Sequence, residues 1–252
     1  MRHFLIMAML LIFSEVYSQG FDWQYSFRLP YSTPSQFIGI TGGYSINSAV
    51  GDFDFLEDYT PCCKYQNGNG NSLEIGVVYD YWISSLSAIS LKTTLVKSNT
   101  NFSQTIQIPR SDGINDYISK YNYTMDEERA SLSLSGFYEY RLLESHLSVQ
   151  GGLNFYYHLG NDAEHIEEIL SPDTEQFIDG TRKRIIKRGI YGEYNTAIIN
   201  AAIGLNYDYS VTKGYYSSIS AILNIPVNNV IHNQYWKEWK FQISISILKS
   251  ID

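Results

Sequence analysis

Trp239-Lys240-Phe241-Gln242-Ile243-Ser244-Ile245-Ser246-Ile247 alternates apolar and polar side chains without a break. A helix would spread these apolar residues around its circumference, whereas an extended chain puts them all on one face. The same period of two extends outward from this stretch. Leu73, Ile75, Val77, Tyr79 and Tyr81 alternate with Ser72, Glu74, Gly76, Val78 and Asp80, and Ile89, Leu91, Thr93 and Leu95 alternate with Ala88, Ser90, Lys92 and Thr94. Ala130–Tyr140, Leu147–Tyr157 and Ala197–Tyr209 repeat the pattern. Phe37–Ile46, interrupted by Gly42-Gly43, and Tyr215–Ile225, ended by Pro226, carry it more weakly. Eight segments of about ten residues match the ~9–11 that a tilted strand needs to cross a bilayer.

The connections between these segments alternate in length. Asn47–Asn71, Ser98–Glu127 and Gly160–Thr196 are long and Pro226–Tyr235 is moderate, whereas Ile83–Ser85, Arg141–Ser145 and Ser210–Gly214 are tight. In an up-and-down barrel this gathers the long loops at one end and the short turns at the other. The expected fold is therefore all-β: an eight-stranded antiparallel up-and-down transmembrane β-barrel with long extracellular loops and short periplasmic turns. Aromatic residues fall where two lipid interfaces would lie. Tyr79, Tyr81, Trp82, Tyr138, Tyr140, Tyr207, Tyr209, Tyr215 and Tyr216 flank the tight turns, and Phe155, Tyr157, Trp236 and Trp239 flank the long loops. A soluble lipocalin-like ligand-binding barrel shares the strand count and the alternation, with the faces inverted.

Composition fits this reading. The chain has 252 residues, 44% hydrophobic and 17% charged, with a net charge of −8, which argues against disorder, collagen and a basic nucleic-acid binder. Tyr is abundant, at 22 beside 12 Phe and 4 Trp, as suits boundaries that are apolar on one side and wet on the other. Arg2, the apolar run Phe4–Phe13 and Val16-Tyr17-Ser18 read as a secretory signal peptide over 1–18, cut before Gln19 and leaving 19–252 as the barrel. No later run reaches the ~18 apolar residues of a transmembrane helix.

Together the leader, the alternating segments and the loop asymmetry resemble the eight-stranded outer-membrane β-barrel proteins, the OmpX-like and PorT-like group. Cys62-Cys63 followed by Asn67–Asn71, and Glu167–Pro172 followed by Phe177 and Gly180, are similar to barrels of Bacteroidetes-type bacteria. The resemblance implies a multi-pass protein of the bacterial outer membrane, delivered by the barrel assembly machinery. It implies contact with outer-membrane lipids, including lipopolysaccharide, a possible envelope protein partner and no nucleic acid. The expected role is structural or surface-binding, with a closed polar lumen too narrow for a general porin. Alternatives are a subunit of an envelope secretion or gliding machine and an outer-membrane lipid-modifying enzyme.

Several side-chain groups carry candidate chemistry. Glu74, Lys92, Arg129, Glu139, Asp208 and Lys240, with Asp80, fall on the inward faces and would form a paired lumen charge network. Asp80, Glu139 and Asp208 lie beside the periplasmic turns, where they would either pair or attract cations. Arg182, Lys183, Arg184, Lys187 and Arg188 would either be solvated or contact lipopolysaccharide phosphates. Asp162–Leu170 reads as a short helix stopped by Ser171-Pro172, which would put Glu164, His165 and Glu168 on one face, solvated or as a weak metal site. Adjacent Cys62 and Cys63 would form a strained vicinal disulfide, link to a second molecule, or pack in a loop. No G-x-S-x-G, H-E-x-x-H or G-x-x-x-x-G-K pattern occurs, so no catalytic residue, cofactor or metal ligand is assigned and no enzymatic activity is expected.

Overall fold

The computed structural model describes residues 35–57, 60–84, 86–111, 113–142, 145–188, 194–212, 215–232 and 234–251, without the side chains of 53–57, 60–63, 187, 188, 210 and 212. The leader at 1–18 lies outside the described residues. So do the side chains of Cys62 and Cys63, whose backbone falls in a strand.

The strands are β1 Gln36–Glu57, β2 Thr60–Trp82, β3 Ser87–Ser111, β4 Asp116–Arg141, β5 Leu147–Ser171, β6 Lys183–Arg188, β7 Ala197–Thr212, β8 Tyr215–Pro226 and β9 Tyr235–Ser250. All pairings are antiparallel, each strand from β1 to β5 and from β7 to β9 lies beside its neighbours in sequence, and β9 returns to pair with β1. Eight strand positions close the ring, because the short β6 takes no position of its own. It pairs with Glu164–Glu168 at the far end of β5, above β7, which pairs with Leu147–Tyr157 of the same strand. The tight connections 83–86, 142–146 and 213–214 share one end with Gln36 and Ser250.

Three expectations are corrected. Most of the long connections are strand: β1 and β2 leave only 58–59 between them, and β3 and β4 leave 112–115. The expected helix at Asp162–Leu170 is part of β5, with Ala163, His165, Glu167 and Ile169 buried and Glu164 and Glu168 on the opposite face. His165 therefore does not share a face with the two glutamates. Among the expected interface aromatics, Tyr216 and Trp236 point into the barrel and are 1% and 0% exposed, and Trp82 is partly buried against the same interior.

What the longer strands do explains these corrections. In the half nearest the turns the outward face is apolar: Ile38, Ile40, Leu73, Ile75, Val77, Leu91, Leu95, Leu134, Leu153, Ile203, Ile219, Ile243 and Ile245 are all exposed. The inward face there is Ser90, Lys92, Thr94, Ser133, Ser135, Asn206, Ser220, Gln242 and Ser244, all buried. Farther along the same strands the faces exchange. On β3 the outward residues become Lys97, Asn99, Asn101 and Ser103 while Phe102 is buried, and on β4 Glu128 and Asp126 face out while Met125, Tyr123 and Tyr121 face in. These interior residues form one apolar cluster with Tyr65, Ile169 and Trp236. Gly68 makes room for it, since a Cβ there would lie 2.8 Å from the Phe102 ring.

An apolar exterior around a polar interior suits hydrocarbon outside, and the reverse suits water. The barrel therefore has a lipid-facing belt and a water-facing extension built from the same strands. Ile243→Lys, at the centre of the belt on β9, is expected to cost about 2–4 kcal/mol in refolding from urea into lipid vesicles. Asn101→Lys, on the outer face of the extension, is expected to cost near zero. Equal effects at the two positions would contradict the belt.

Candidate functional site

The interior holds a set of buried charged side chains. It is built in layers, beginning at the turn end. Phe37, Val78, Tyr216 and Leu248 form a buried apolar floor with Trp82, and the Phe37 and Tyr216 rings meet edge-to-face at 5.0 Å. Arg141 lies 4.1 Å from the centroid of the Trp82 ring.

Beside the floor residues, Asp80, Glu139 and Asp208 project inward within electrostatic reach of one another and of Lys92 and Arg141. Asn206 ties two of them together, donating to Glu139 Oε2 at 3.2 Å and to Asp208 Oδ1 at 3.1 Å. It accepts from the hydroxyls of Ser218 at 2.6 Å and Ser220 at 2.8 Å. Glu139 and Asp208 are buried there, and Asp80 lies opposite Phe37 in the β1–β2 ladder, level with the floor residues. At mid-height Gln242 donates to Glu74, and the chain of bonds continues through Asn224 to Asn154. Gly43 faces Glu74 across the β1–β2 ladder, and a Cβ there would come within 2.6 Å of its carboxylate, so the glycine is what admits this side chain to the lumen.

The third layer is the most completely paired. Arg129 reaches Glu127 at 2.7 Å and also bonds Glu238, and its guanidinium lies 5.3 Å from the centroid of the Trp236 ring. Tyr194 donates to Glu127 at 2.9 Å, while Lys240 sits 3.6 Å from Glu238 and 4.7 Å from the centroid of the Tyr156 ring. Two cations are balanced against two carboxylates, with all four side chains almost entirely removed from solvent. Ser131 and His158 Nδ1 meet at 3.0 Å beside them, around a cavity that Asn200 also lines. That cavity has room for about one water molecule.

The structure places Glu74, Lys92, Arg129, Glu139, Asp208 and Lys240 inside the barrel, divided between these layers. Sequence reading missed Glu127, Glu238, Tyr194, Tyr156 and Trp236. Parity was the available signal: Trp236 and Glu238 continue the inward register of Lys240, and Glu127 continues that of Arg129.

Beyond the apolar cluster, residues 172–182 fold over the open end. Glu175 accepts from Ser119 and from the Tyr121 hydroxyl at 2.5 Å, and Arg110 donates to Tyr121 at 3.2 Å. Partial burial pushes the Glu175 carboxyl up, but these hydroxyls and Arg110 outweigh it and hold the group below its ordinary 4.5. The basic run serves this lid. Arg182 pairs with Asp173 at 2.9 Å, and Arg184 pairs with Glu167 at 2.7 Å and stacks 4.2 Å from the Phe177 ring centroid. Lys183 and Arg188 lie opposite Glu168 and Glu164 in register, and Lys187 lies opposite His165; the side chains of 187 and 188 are outside the described residues. Among the described residues, no cluster of three or more His, Cys, Asp or Glu side chains could hold a metal ion.

No protein-family model matches the chain, and no curated protein matches it in sequence. Among solved structures it is similar to Ail, the attachment invasion locus protein of Yersinia pestis, at 10% identity and a TM-score of 0.34, covering 85% of this chain and 99% of that one. It is also similar to the outer-membrane protease OmpT from Escherichia coli, at 12% identity and a TM-score of 0.34, covering 90% and 100%. The translocator domain of the autotransporter NalP from Neisseria meningitidis follows at 10% identity and a TM-score of 0.29, covering 97% and 95%.

Removing one member of the Arg129 layer strands its partners. Arg129→Met is expected to lower stability by about 3–5 kcal/mol in urea titration of the vesicle-inserted protein. Adding Glu238→Gln to that variant is expected to restore part of the loss. The lid answers to pH instead. With its carboxyl held below 4.5, Glu175 contributes stability that is present above that value and is lost as pH falls through the lowered one. A spin label at position 178 should gain mobility under acid, and Glu175→Gln should make the mobility independent of pH.

Proposed function

We propose that the protein is a small integral β-barrel of the bacterial outer membrane that does not conduct, and that its work is done by the extension standing outside the bilayer. The exchange of faces along β3 and β4 carries this reading. Lipid outside the lower half and water outside the upper half is the arrangement under which neither half leaves its apolar face unfavourably solvated. The filled lumen supports the non-porin role, since three layers of bonded or packed side chains lie between the turn end and the lid. Ser131 and His158 face a cavity the size of a single water, which leaves no space for a substrate beside them. A lipid-modifying activity would need a route from the bilayer to that hydroxyl.

A second reading, a subunit of a larger envelope machine of the PorT-like kind, is favoured by the outermost residues. Ile114 in the β3–β4 connection and Ile178 at the lid are 89% and 110% exposed, which suits a docking tip. Among the described side chains, anion contact by the basic run falls to Lys183 under this proposal, because Arg182 and Arg184 are engaged within the lid.

The unboiled protein in detergent is expected to migrate faster on a gel than the boiled protein, and planar bilayers containing it are expected to show no stable conductance. A soluble protein with unchanged migration would return the lipocalin-like alternative, and steady channels would sink the closed lumen. Co-purification of a stoichiometric partner, lost on Ile114→Asp and Ile178→Asp, would select the machine reading.

A further inference from the structure

The outer wall over β2, β3 and β4 changes chemistry within one cross-strand row. Leu73, Lys97 and Ala130 are paired neighbours in the last row of the belt. The next row is Asn71, Asn99 and Glu128, and the one beyond it is Asn69, Asn101 and Asp126. A groove open to the outside lies on each side of this boundary. The lower one runs between Leu73, Ile75, Leu95 and Leu159, over the small Ala130, and is almost wholly apolar. The upper one is lined by the four asparagines with Asp126 and Glu128. Lys97 stands at the junction, 2.9 Å from Glu128, with both side chains well exposed.

Asparagine is disfavoured in strands, and four on adjacent strands in two successive outward rows call for a reason. Local bonding uses part of their capacity: Asn99 Oδ1 accepts from the Asn71 backbone N–H at 2.9 Å, and the Asn101 side chain donates to Asp126. The rest of this amide and carboxylate array faces outward, as a surface that hydroxyl groups can bond. An exposed ion pair such as Lys97–Glu128 contributes little, so the ammonium can turn to a phosphate at small cost. Asp126 and Glu128 stand against a headgroup with several phosphates.

We propose that the two grooves form one site for a glycolipid of the outer leaflet. An acyl chain lies in the lower groove beside Ala130, a single phosphate at the lipid–water boundary meets Lys97, and sugar hydroxyls bond the asparagine amides and the two carboxylates. The site rests on the membrane-spanning reading, because the belt is what sets the lipid boundary at Lys97.

Native mass spectrometry of the detergent-purified full chain tests it, using a monophosphorylated acyl-glucosamine disaccharide against phosphatidylethanolamine and phosphatidylglycerol. The wild type is expected to retain the glycolipid about tenfold more strongly than either phospholipid, a difference of about 1.4 kcal/mol. Ala130→Leu, which fills the lower groove, and Asn99→Ala with Asn101→Ala, which strips the upper one, should each abolish the preference while leaving heat-modifiable migration intact. Equal retention of all three lipids by the wild type, or unchanged preference in folded variants, overturns the site and leaves the barrel reading standing. Loss of heat-modifiable migration in the wild type itself strikes the membrane reading instead.

Discussion

A backbone amide in hydrocarbon has no water to bond, so a sheet that enters a bilayer must leave no edge. The ladders β9–β1 and β4–β5 meet that demand and close the ring through the whole belt. Once closed, the ring constrains its side chains: those facing lipid must be apolar, and charges below the belt's edge row, where Lys97 stands, must go inward. An eight-stranded interior is narrow, and charges driven into it have to find partners there. Asn206 between Glu139 and Asp208, and Arg129 between Glu127 and Glu238, are the local solutions.

Outside the bilayer the demand lapses, and so does full closure. β5 exchanges β7 for β6 as its neighbour, and β8 ends at Pro226 while β1 to β5 continue. The extension is held instead by an apolar interior, with Phe102 and Trp236 meeting edge-to-face at 5.0 Å. On β6, Lys and Arg occupy four of the six positions of a strand whose described pairing is with β5 alone. Positive charge along such a strand discourages pairing with another chain, which is the usual means of guarding a sheet margin.

How much of this was legible follows from which face carried the signal. In the belt most large apolar residues are outward and most inward ones are polar or small, so Trp239–Ile247 and Leu73–Tyr81 declare themselves. In the extension the outward face is Asn, Ser, Thr and Asp, which resembles loop composition, and the inward signal is scattered among Phe102, Tyr121, Tyr123 and Met125. Asn67-Gly68-Asn69-Gly70-Asn71 reads as a turn-rich linker, yet Gly68 is there to make way for the Phe102 ring on β3, a contact more than thirty positions distant in the chain. Asp162–Leu170 satisfied the local rules for a helix, yet Ala163, His165, Glu167 and Ile169 also share strand parity, and pairing with β4 and β6 decided the matter. Parity alone located the inward charges, but their grouping into layers depends on strand register, which no local pattern encodes. Tyr216 and Trp236 were misplaced for a related reason: aromatic residues near a strand end suit an interface, but parity overrules position.

The length of β3 beyond the belt has a consequence for reach. From Lys97 to Ser111 the strand advances fourteen residues, which at about 3.3 Å each and a tilt near 40° raises its end roughly 35 Å above the lipid boundary. A column of that height, stiffened by its own aromatic interior, carries Ile114 and Ile178 well clear of the headgroups. A molecule in the aqueous phase on that side meets this crown first, while the wall beneath it faces the membrane's own lipids.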